Sequence, residues 1–335
     1  MPTLLNHASG SANPATSQSA LWAYLQPALD HIVKSPSNDP NGKAPAIDFG
    51  LYAGIHSACY NYFTAQSEAN AANPSDDDDS QPASGTDIYV QLDKYFEEAA
   101  RELSLGAPLD DITLIQYIVP AFNRYHAGAQ SANRLLSYVN RHYVKRAVDE
   151  DRGWLRLSDV LESVAKTLTN DDSREIITRK LRERRADELR KWGYRDGDSS
   201  ERVAFAEACA EAASPLDRVV PVASLALRRF RTEFMEPLLA TPKNKGKSKA
   251  KNKVSKPSGP NPTRPKGRLA RAVKELLETD AVDEEERYHL ASSLARALQI
   301  IGVKEENLLR KKLDKYVFSV SSTLVLPPSL KSLKI

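Results

Sequence analysis

The stretch SANRLLSYVNRHYVKR, residues 131–146, decides the fold class of this chain. It begins with Ser131, a residue type that favours the helix N-cap, and apolar side chains then recur at three- and four-residue spacing. That spacing predicts an amphipathic α-helix, the fifth along the chain. Its apolar positions are Leu135, Leu136, Tyr138, Val139, His142, Tyr143 and Val144.

The same period continues on both sides of this stretch, with no convincing strand pattern. Upstream, helices are predicted after Ser17 or Ser19, after Asp48, after Asp87 and after Asp110 or Asp111, which makes five helices in about 130 residues. About ten to eleven helices in series predict an all-α protein built as an elongated stack. The downstream periodic segments are 154–168, 173–194, 199–213, 215–239, 269–277, 284–301 and 305–318.

The composition excludes membrane-spanning and disulfide-rich classes of protein. The 335 residues are 41% hydrophobic and 27% charged, as in ordinary soluble proteins, and the length suits about two domains. No apolar run approaches the roughly 18–20 residues of a membrane-spanning helix, and the polar N-terminus lacks the core of a secretory signal. Two cysteines, Cys59 and Cys209, cannot form a disulfide framework or a four-ligand zinc site. We therefore expect an intracellular chain with no membrane partner.

Charge is strongly segregated along the chain. The net charge is +3, but residues 241–268 hold eight Lys and two Arg without any Asp or Glu, so the remainder is acidic. This basic stretch has the composition of an extended linker. Three further segments are predicted to lie outside the folded part: the N-terminus 1–19, the acidic loop 68–85 with its four consecutive aspartates, and the tail 319–335.

The basic linker has three interpretations. It is a solvated spacer, a nuclear localisation signal or a weak nucleic-acid contact. Single-strand binding usually interleaves aromatic residues with basic ones, and this stretch has no aromatic residue, so nucleic acid is the least favoured partner.

Signatures of catalysis are absent from the sequence. It contains no phosphate-binding glycine loop, nucleophile elbow, dinucleotide fingerprint or zinc-hydrolase histidine pair, so we expect no catalytic residue, no metal site and no cofactor. Cys59 follows His56 by one helical turn, which permits a nucleophilic Cys–His pair. A buried small side chain beside a surface histidine is the more common outcome of that spacing.

Five collinear motifs within residues 20–150 resemble the first repeat of the cullins. The 131–146 stretch, with Asp149 and Glu150 after it, is similar to the signature in which a tyrosine-leucine-asparagine-arginine run precedes an aromatic residue and a basic pair. Weaker likenesses to the second and third repeats lie at 228–234 and 271–301. The other four motifs are Trp22 with Leu25, the run 59–64 (CYNYFT), the run 88–92 (IYVQL), and Phe122 with Tyr125.

The resemblance implies a non-catalytic scaffold of a ubiquitin ligase, closest to the cullin that works with F-box proteins. Cullin N-terminal regions are stalks of stacked five-helix repeats, and the first repeat docks a Skp-type or BTB-fold adaptor that carries a substrate receptor. The domains would be a first repeat at 20–150, a second at 151–240 and a partial third at 269–318. No match to the C-terminal cullin domain was found, so we expect a truncated or atypical cullin that recruits no RING protein and competes for adaptors.

The resemblance also implies where the adaptor binds. The second and fifth helices of the first repeat form the docking ridge in cullins, and aromatic residues with arginines at the rim suit an interface. We call the matching set the ridge: Tyr52, Ala53, His56, Cys59, Tyr60, Arg134, Tyr138 and Arg141.

Two alternatives remain open at the level of sequence. Tyr60 and Tyr138 would also fit the core of the repeat itself. The chain would also fit a helical interaction module without adaptor binding, whose basic linker contacts nucleic acid or an import receptor. The scaffold hypothesis and the import hypothesis both lead us to expect the protein in cytoplasm and nucleus.

Overall fold

A computed structural model describes residues 13–35, 43–72, 83–169, 172–241, 267–278 and 282–324 of the chain. All regular structure among these residues is helical, so the prediction of an all-α stack of helices is confirmed. Within the same ranges no helix combines the length and the apolar character that crossing a membrane requires.

The first half of the fold ends in a helix that is interrupted by a π-helical turn. We call α5, this turn and α6 together the fifth helical segment. The elements are α1 (Gln18–Val33), α2 (Phe49–Ala72), α3 (Thr86–Leu105), α4 (Asp111–Leu135), α5 (Ser137–Val139), the turn (Asn140–Val144) and α6 (Lys145–Asp149).

The second half contains another π-helical turn, between α10 and α11. Its elements are α7 (Leu157–Ala165), α8 (Arg174–Arg190), α9 (Ser200–Ala213), α10 (Val222–Arg229), the turn (Phe230–Met235), α11 (Glu236–Leu239), α12 (Arg268–Glu278), α13 (Glu284–Ile300) and α14 (Leu308–Leu324).

Side-chain caps fix several helix starts where the sequence predicts them. Ser17 Oγ accepts a hydrogen bond from the Ala20 amide at 3.4 Å, and Asp110 Oδ2 accepts one from the Thr113 amide at 3.0 Å. These bonds satisfy amides that lack a partner in the first helical turn.

The predicted start of the fifth helix is wrong. α4 continues through Ser131 and Arg134 to Leu135, and the chain breaks only at Leu136. The three alanines within 126–135, together with Gln130, Arg134 and Leu135, favour continuation of α4, and Gly128 has a packing role. A Cβ at Gly128 would lie 2.7 Å from the Ile32 carbonyl oxygen, so the glycine allows α1 and α4 to cross closely.

α4 is the helix around which the two halves meet, because α1, α10, α12 and α13 all pack against it. Arg271 Nε donates to Asp111 Oδ2 at 3.0 Å, and Gln116 Nε2 donates to Glu286 Oε1 at 3.1 Å. The predicted third block therefore packs directly on the first. One hydrophobic core includes residues of α1 to α6 and of α9 to α14, and the repeat boundaries at 150 and 240 stay predictions.

An aromatic cluster joins α4 to the second π-helical turn, and we call it the junction cluster: Phe122, Tyr125, Phe230 and Phe234. The Phe230 ring centroid lies 5.4 Å from Phe122, 5.2 Å from Tyr125 and 4.8 Å from Phe234. Phe230 and Phe234 are fully buried, so the cluster is a sealed part of the core.

Charges near the junction cluster are paired inside the fold. Arg229 Nε donates to Asp93 Oδ1 at 2.7 Å, and Arg229 Nη1 lies 3.2 Å from Glu97 Oε2. The buried Arg228 guanidinium donates to the carbonyls of Pro215 and Arg218, each at 2.8 Å. Buried cations are tolerated when such partners satisfy them.

Asparagines of the first half cap a helix of the second. Asn140 Oδ1 accepts from the Val222 amide at 3.0 Å, and Asn133 Oδ1 accepts from the Ala223 amide at 3.1 Å. Asn140 Nδ2 donates to Asn133 Oδ1 at 2.8 Å, which holds the two side chains together. The first amides of α10 are thus satisfied from the fifth helical segment and the end of α4.

Four segments that were predicted to lie outside the folded part are shorter than expected. α1 already includes Gln18 and Ser19, and α2 runs to Ala72. Ser84 and Gly85 are buried, and Ser84 Oγ donates a hydrogen bond to the Phe63 carbonyl at 2.9 Å. At the C-terminal end, Arg268 belongs to α12 and α14 runs to Leu324. The remainders of these predictions, 1–12, 73–82, 242–266 and 325–335, lie outside the described residues.

Candidate functional site: the ridge of α2 and the fifth helical segment

The structure brings α2 and the fifth helical segment together around Tyr138. The Tyr138 ring meets three rings of α2 edge to face, with centroid distances of 5.5 Å to His56, 5.9 Å to Tyr60 and 5.3 Å to Phe63. Edge-to-face contacts of this kind are favourable beyond the area they bury. Tyr138 is therefore the hub that fixes the position of the ridge aromatics.

Two polar contacts add to this arrangement. Arg141 Nη2 lies 3.3 Å from His56 Nε2, and since an arginine only donates, the histidine nitrogen is the acceptor. Tyr52 Oη donates to the Arg134 carbonyl at 3.4 Å, which ties the start of α2 to the end of α4. Arg134 thus reaches the ridge from α4 and not from the fifth helical segment as predicted.

The eight ridge residues differ in what they offer a partner. Ala53, Arg134 and Arg141 are exposed, Tyr60 is 52% exposed, and Tyr52 and His56 are half-buried. Tyr138 is only 9% exposed and Cys59 only 1%. Tyr138 and Cys59 therefore support the ridge from below, and the accessible surface comes from the other six.

Burial also fixes the protonation of the ridge. It raises the pKa of the Cys59 thiol to about 12, so the thiol keeps its proton at neutral pH and is not a ready nucleophile. The pKa of His142, a neighbour of the ridge, is lowered by desolvation first and then by Arg141 and His56. Between Phe49 and Ser67, α2 carries no Asp, Glu, Lys or Arg.

Sequence reasoning missed two neighbours of the ridge. His142 stacks on Tyr138 with ring centroids 4.0 Å apart, although the sequence assigned it only to the apolar stripe. Phe49, the first residue of α2, is 81% exposed. The sequence signal that could have identified Phe49 is its position directly after Asp48, a helix-capping residue type.

A concave site lies beside the ridge. The cavity next to Tyr138 measures about 530 Å³ and is lined partly by Phe63, His142 and Arg146. A second cavity of about 670 Å³, elsewhere in the fold, is lined partly by Trp154 and Trp192. Across the described residues, no group of three or more His, Cys, Asp or Glu side chains is arranged to hold a metal ion.

The described part of the fold is a stack of helices with a half-open aromatic ridge between α2 and the fifth helical segment. The chain is similar to Cell division control protein 53 of Saccharomyces cerevisiae, a cullin, with 21% identity over 168 residues. That match covers 48% of this chain and 20% of the yeast protein, so the chain spans about a fifth of its relative's length. No model of a protein family matches the chain, and no solved structure matches it.

Proposed function

We propose that this chain is a non-catalytic, cullin-like scaffold whose ridge binds a Skp-type or BTB-fold adaptor with its substrate receptor. One observation carries the proposal: an uncharged helical face with exposed aromatic residues lies beside a basic helix. Exposed helices are normally covered with charges, yet α2 has none from Phe49 to Ser67. The distant similarity to a yeast cullin supports this choice of partner.

Charge defines what kind of surface the ridge accepts. The exposed or half-exposed cations Arg134, Arg141, Lys145 and Arg146 flank the neutral face, and the first acid of the fifth helical segment is Asp149. A complementary partner has an apolar centre and an acidic rim, because like charges across an interface are strongly disfavoured. We infer cytoplasmic and nuclear localisation for the same complex.

The test is to measure by calorimetry the affinity of the full chain for a purified Skp-type adaptor. Tyr60 is the variant of choice, because its half-exposed ring can be removed without opening the core. We expect wild type to bind with micromolar affinity or better and Tyr60→Ala to bind about tenfold more weakly or worse. Higher salt is expected to weaken binding, because the flanking contacts are exposed charges.

Leu161→Ala is the matched control, since Leu161 of α7 is 46% exposed and lies outside the ridge. It should bind like wild type, and both variants should keep the helical spectrum and the melting temperature of wild type. Absence of binding to Skp-type and BTB-fold adaptors at micromolar concentration contradicts the proposal. Equal affinity of Tyr60→Ala and wild type contradicts it as well.

A further inference from the structure

The start of α2 presents a large aromatic side chain that the resemblance to cullins does not assign to the ridge. Phe49 is 81% exposed, yet its backbone is well fixed. Asp48 Oδ2 accepts hydrogen bonds from the amides of Gly50 at 2.8 Å and Leu51 at 3.2 Å. An aromatic side chain on a capped helical turn loses little freedom when a partner covers it.

Phe49 lies on the same helical stripe as the exposed part of the ridge. His56 follows it by seven residues and Tyr60 by eleven, which are near-whole numbers of helical turns. At 1.5 Å per residue the stripe from Phe49 to Tyr60 is about 17 Å long. Tyr52, bonded to the Arg134 carbonyl, lies between the two ends and connects them to α4.

We propose that Phe49 is an anchor residue of the adaptor interface, which extends the ridge by one helical turn and inserts into an apolar pocket of the adaptor. The inference rests on the proposed function, because the occupant is the same partner. Continuity with the ridge and the absence of Asp, Glu, Lys and Arg on α2 between Phe49 and Ser67 argue for one surface and one occupant. Aromatic anchors that become fully desolvated dominate interface affinity.

The flanking charge excludes a basic occupant. The Arg134 carbonyl contacts Tyr52 and the Arg141 guanidinium contacts His56, so a partner that covers the stripe from Phe49 to Tyr60 lies beside both arginines. Another copy of this chain would bring its own arginines to them, which makes self-association through this face unfavourable. An adaptor with an acidic rim pairs with them instead.

The experiment measures the affinity of the purified Skp-type adaptor for the full chain carrying Phe49→Ala. We expect a loss of roughly tenfold or more relative to wild type. Phe318→Ala is the matched control, because Phe318 of α14 is 75% exposed and far along the chain from α2. Its affinity should equal that of wild type, and all variants should remain monomeric by sedimentation.

The outcomes separate this inference from the proposed function. If Tyr60→Ala weakens binding but Phe49→Ala does not, the ridge stands and the role of Phe49 is overturned. If wild type binds no adaptor, both fail. If Phe49→Ala instead abolishes dimers of wild type while adaptor affinity is unchanged, the face belongs to a second copy and the inference is overturned. An equal loss in Phe318→Ala also overturns it, because the effect would then be nonspecific.

Discussion

Two aromatic clusters in this molecule use the same packing chemistry and have opposite surroundings. In the junction cluster the Phe230 ring has 0% exposure, and the neighbouring Arg229 is paired with Asp93 and Glu97. In the ridge Tyr138 is the hub of a similar set of ring contacts, but Tyr60 stays 52% exposed. The first cluster is closed by the chain, and the second is open to a partner.

The difference shows how burial and charge together separate a structural cluster from a binding surface. Around the junction cluster every cation described above has a carboxylate or carbonyl partner within the fold. Along the ridge, Arg141 contacts the His56 ring, and no carboxylate among the described residues is paired with it. A cation without a carboxylate partner in the described fold retains attraction for an acid on another protein.

The largest effect is expected from removal of the central ring of the junction cluster. Phe230→Ala leaves a cavity among Phe122, Tyr125 and Phe234 and should lower the free energy of unfolding by about 3–5 kcal/mol. Urea unfolding followed by circular dichroism measures this loss. The fraction that stays folded should bind adaptor with the affinity of wild type, because the ridge is separate.

Phe318→Ala is the control for this comparison too. As a 75% exposed residue it should change the free energy of unfolding by no more than about 0.5 kcal/mol. If Phe230→Ala lowered the free energy of unfolding as little as Phe318→Ala, the junction cluster would not be the aromatic cluster that stabilises the fold.

A smaller effect is expected at α9, where a carboxyl is buried against α10. Burial raises the pKa of Glu211 from its ordinary 4.5 to about 7, even though Ser224 Oγ donates to it at 2.6 Å. Since the folded state holds this proton more tightly, stability falls as pH rises from 4.5 to 7 and stays lower above that range. Glu211→Gln should remove the penalty and raise the free energy of unfolding at pH 8 by about 1–3 kcal/mol.

The measurement is the difference in unfolding midpoint between Glu211→Gln and wild type at pH 4.5, 6 and 8. The difference should be small at pH 4.5 and grow with pH. A constant difference in unfolding midpoint across this range would show that the Glu211 carboxyl titrates normally. The two proteins should bind adaptor with equal affinity at each pH.

Helix positions could be predicted from sequence because local spacing and caps determine them. Ser17 and Asp110 cap the helices that they were predicted to cap. Two things could not be predicted in this way. The π-helical turns at 140–144 and 230–235 make contacts between distant segments, such as Asn140 with the Val222 amide, that local spacing does not encode. The packing of α12 on α4 brings together residues far apart in sequence, such as Arg271 and Asp111.

The candidate site was predictable in part for the same reason. A helical stripe gives the neighbours along one helix, so Tyr52, His56 and Tyr60 could be placed on one face. Which of Cys59, Tyr60 and Tyr138 points outwards depends on how the fifth helical segment crosses α2, and sequence alone left that open. The structure resolves it, with Tyr60 outside and Cys59 and Tyr138 beneath. The role of these residues in adaptor binding stays a prediction.

The smallest effect concerns the cap that holds the open end of the ridge. Asp48→Ala removes the acceptor of the Gly50 and Leu51 amides and should cost about 1 kcal/mol of stability. Because the first turn of α2 carries Phe49 and Tyr52, we also expect a few-fold loss of adaptor affinity from fraying of that turn. Hydrogen exchange of the α2 amides and calorimetry measure the two effects.

Ser17→Ala is the matched cap variant, since Ser17 caps α1 through the Ala20 amide and contributes nothing to the ridge. It should lower stability by a similar amount, about 1 kcal/mol, without changing adaptor affinity. If both caps weakened binding equally, affinity would follow global stability. If Asp48→Ala alone weakens adaptor binding, an ordered first turn of α2 is required for the binding surface. The ridge then depends on a local helix cap, whereas the junction cluster is held by burial in the core.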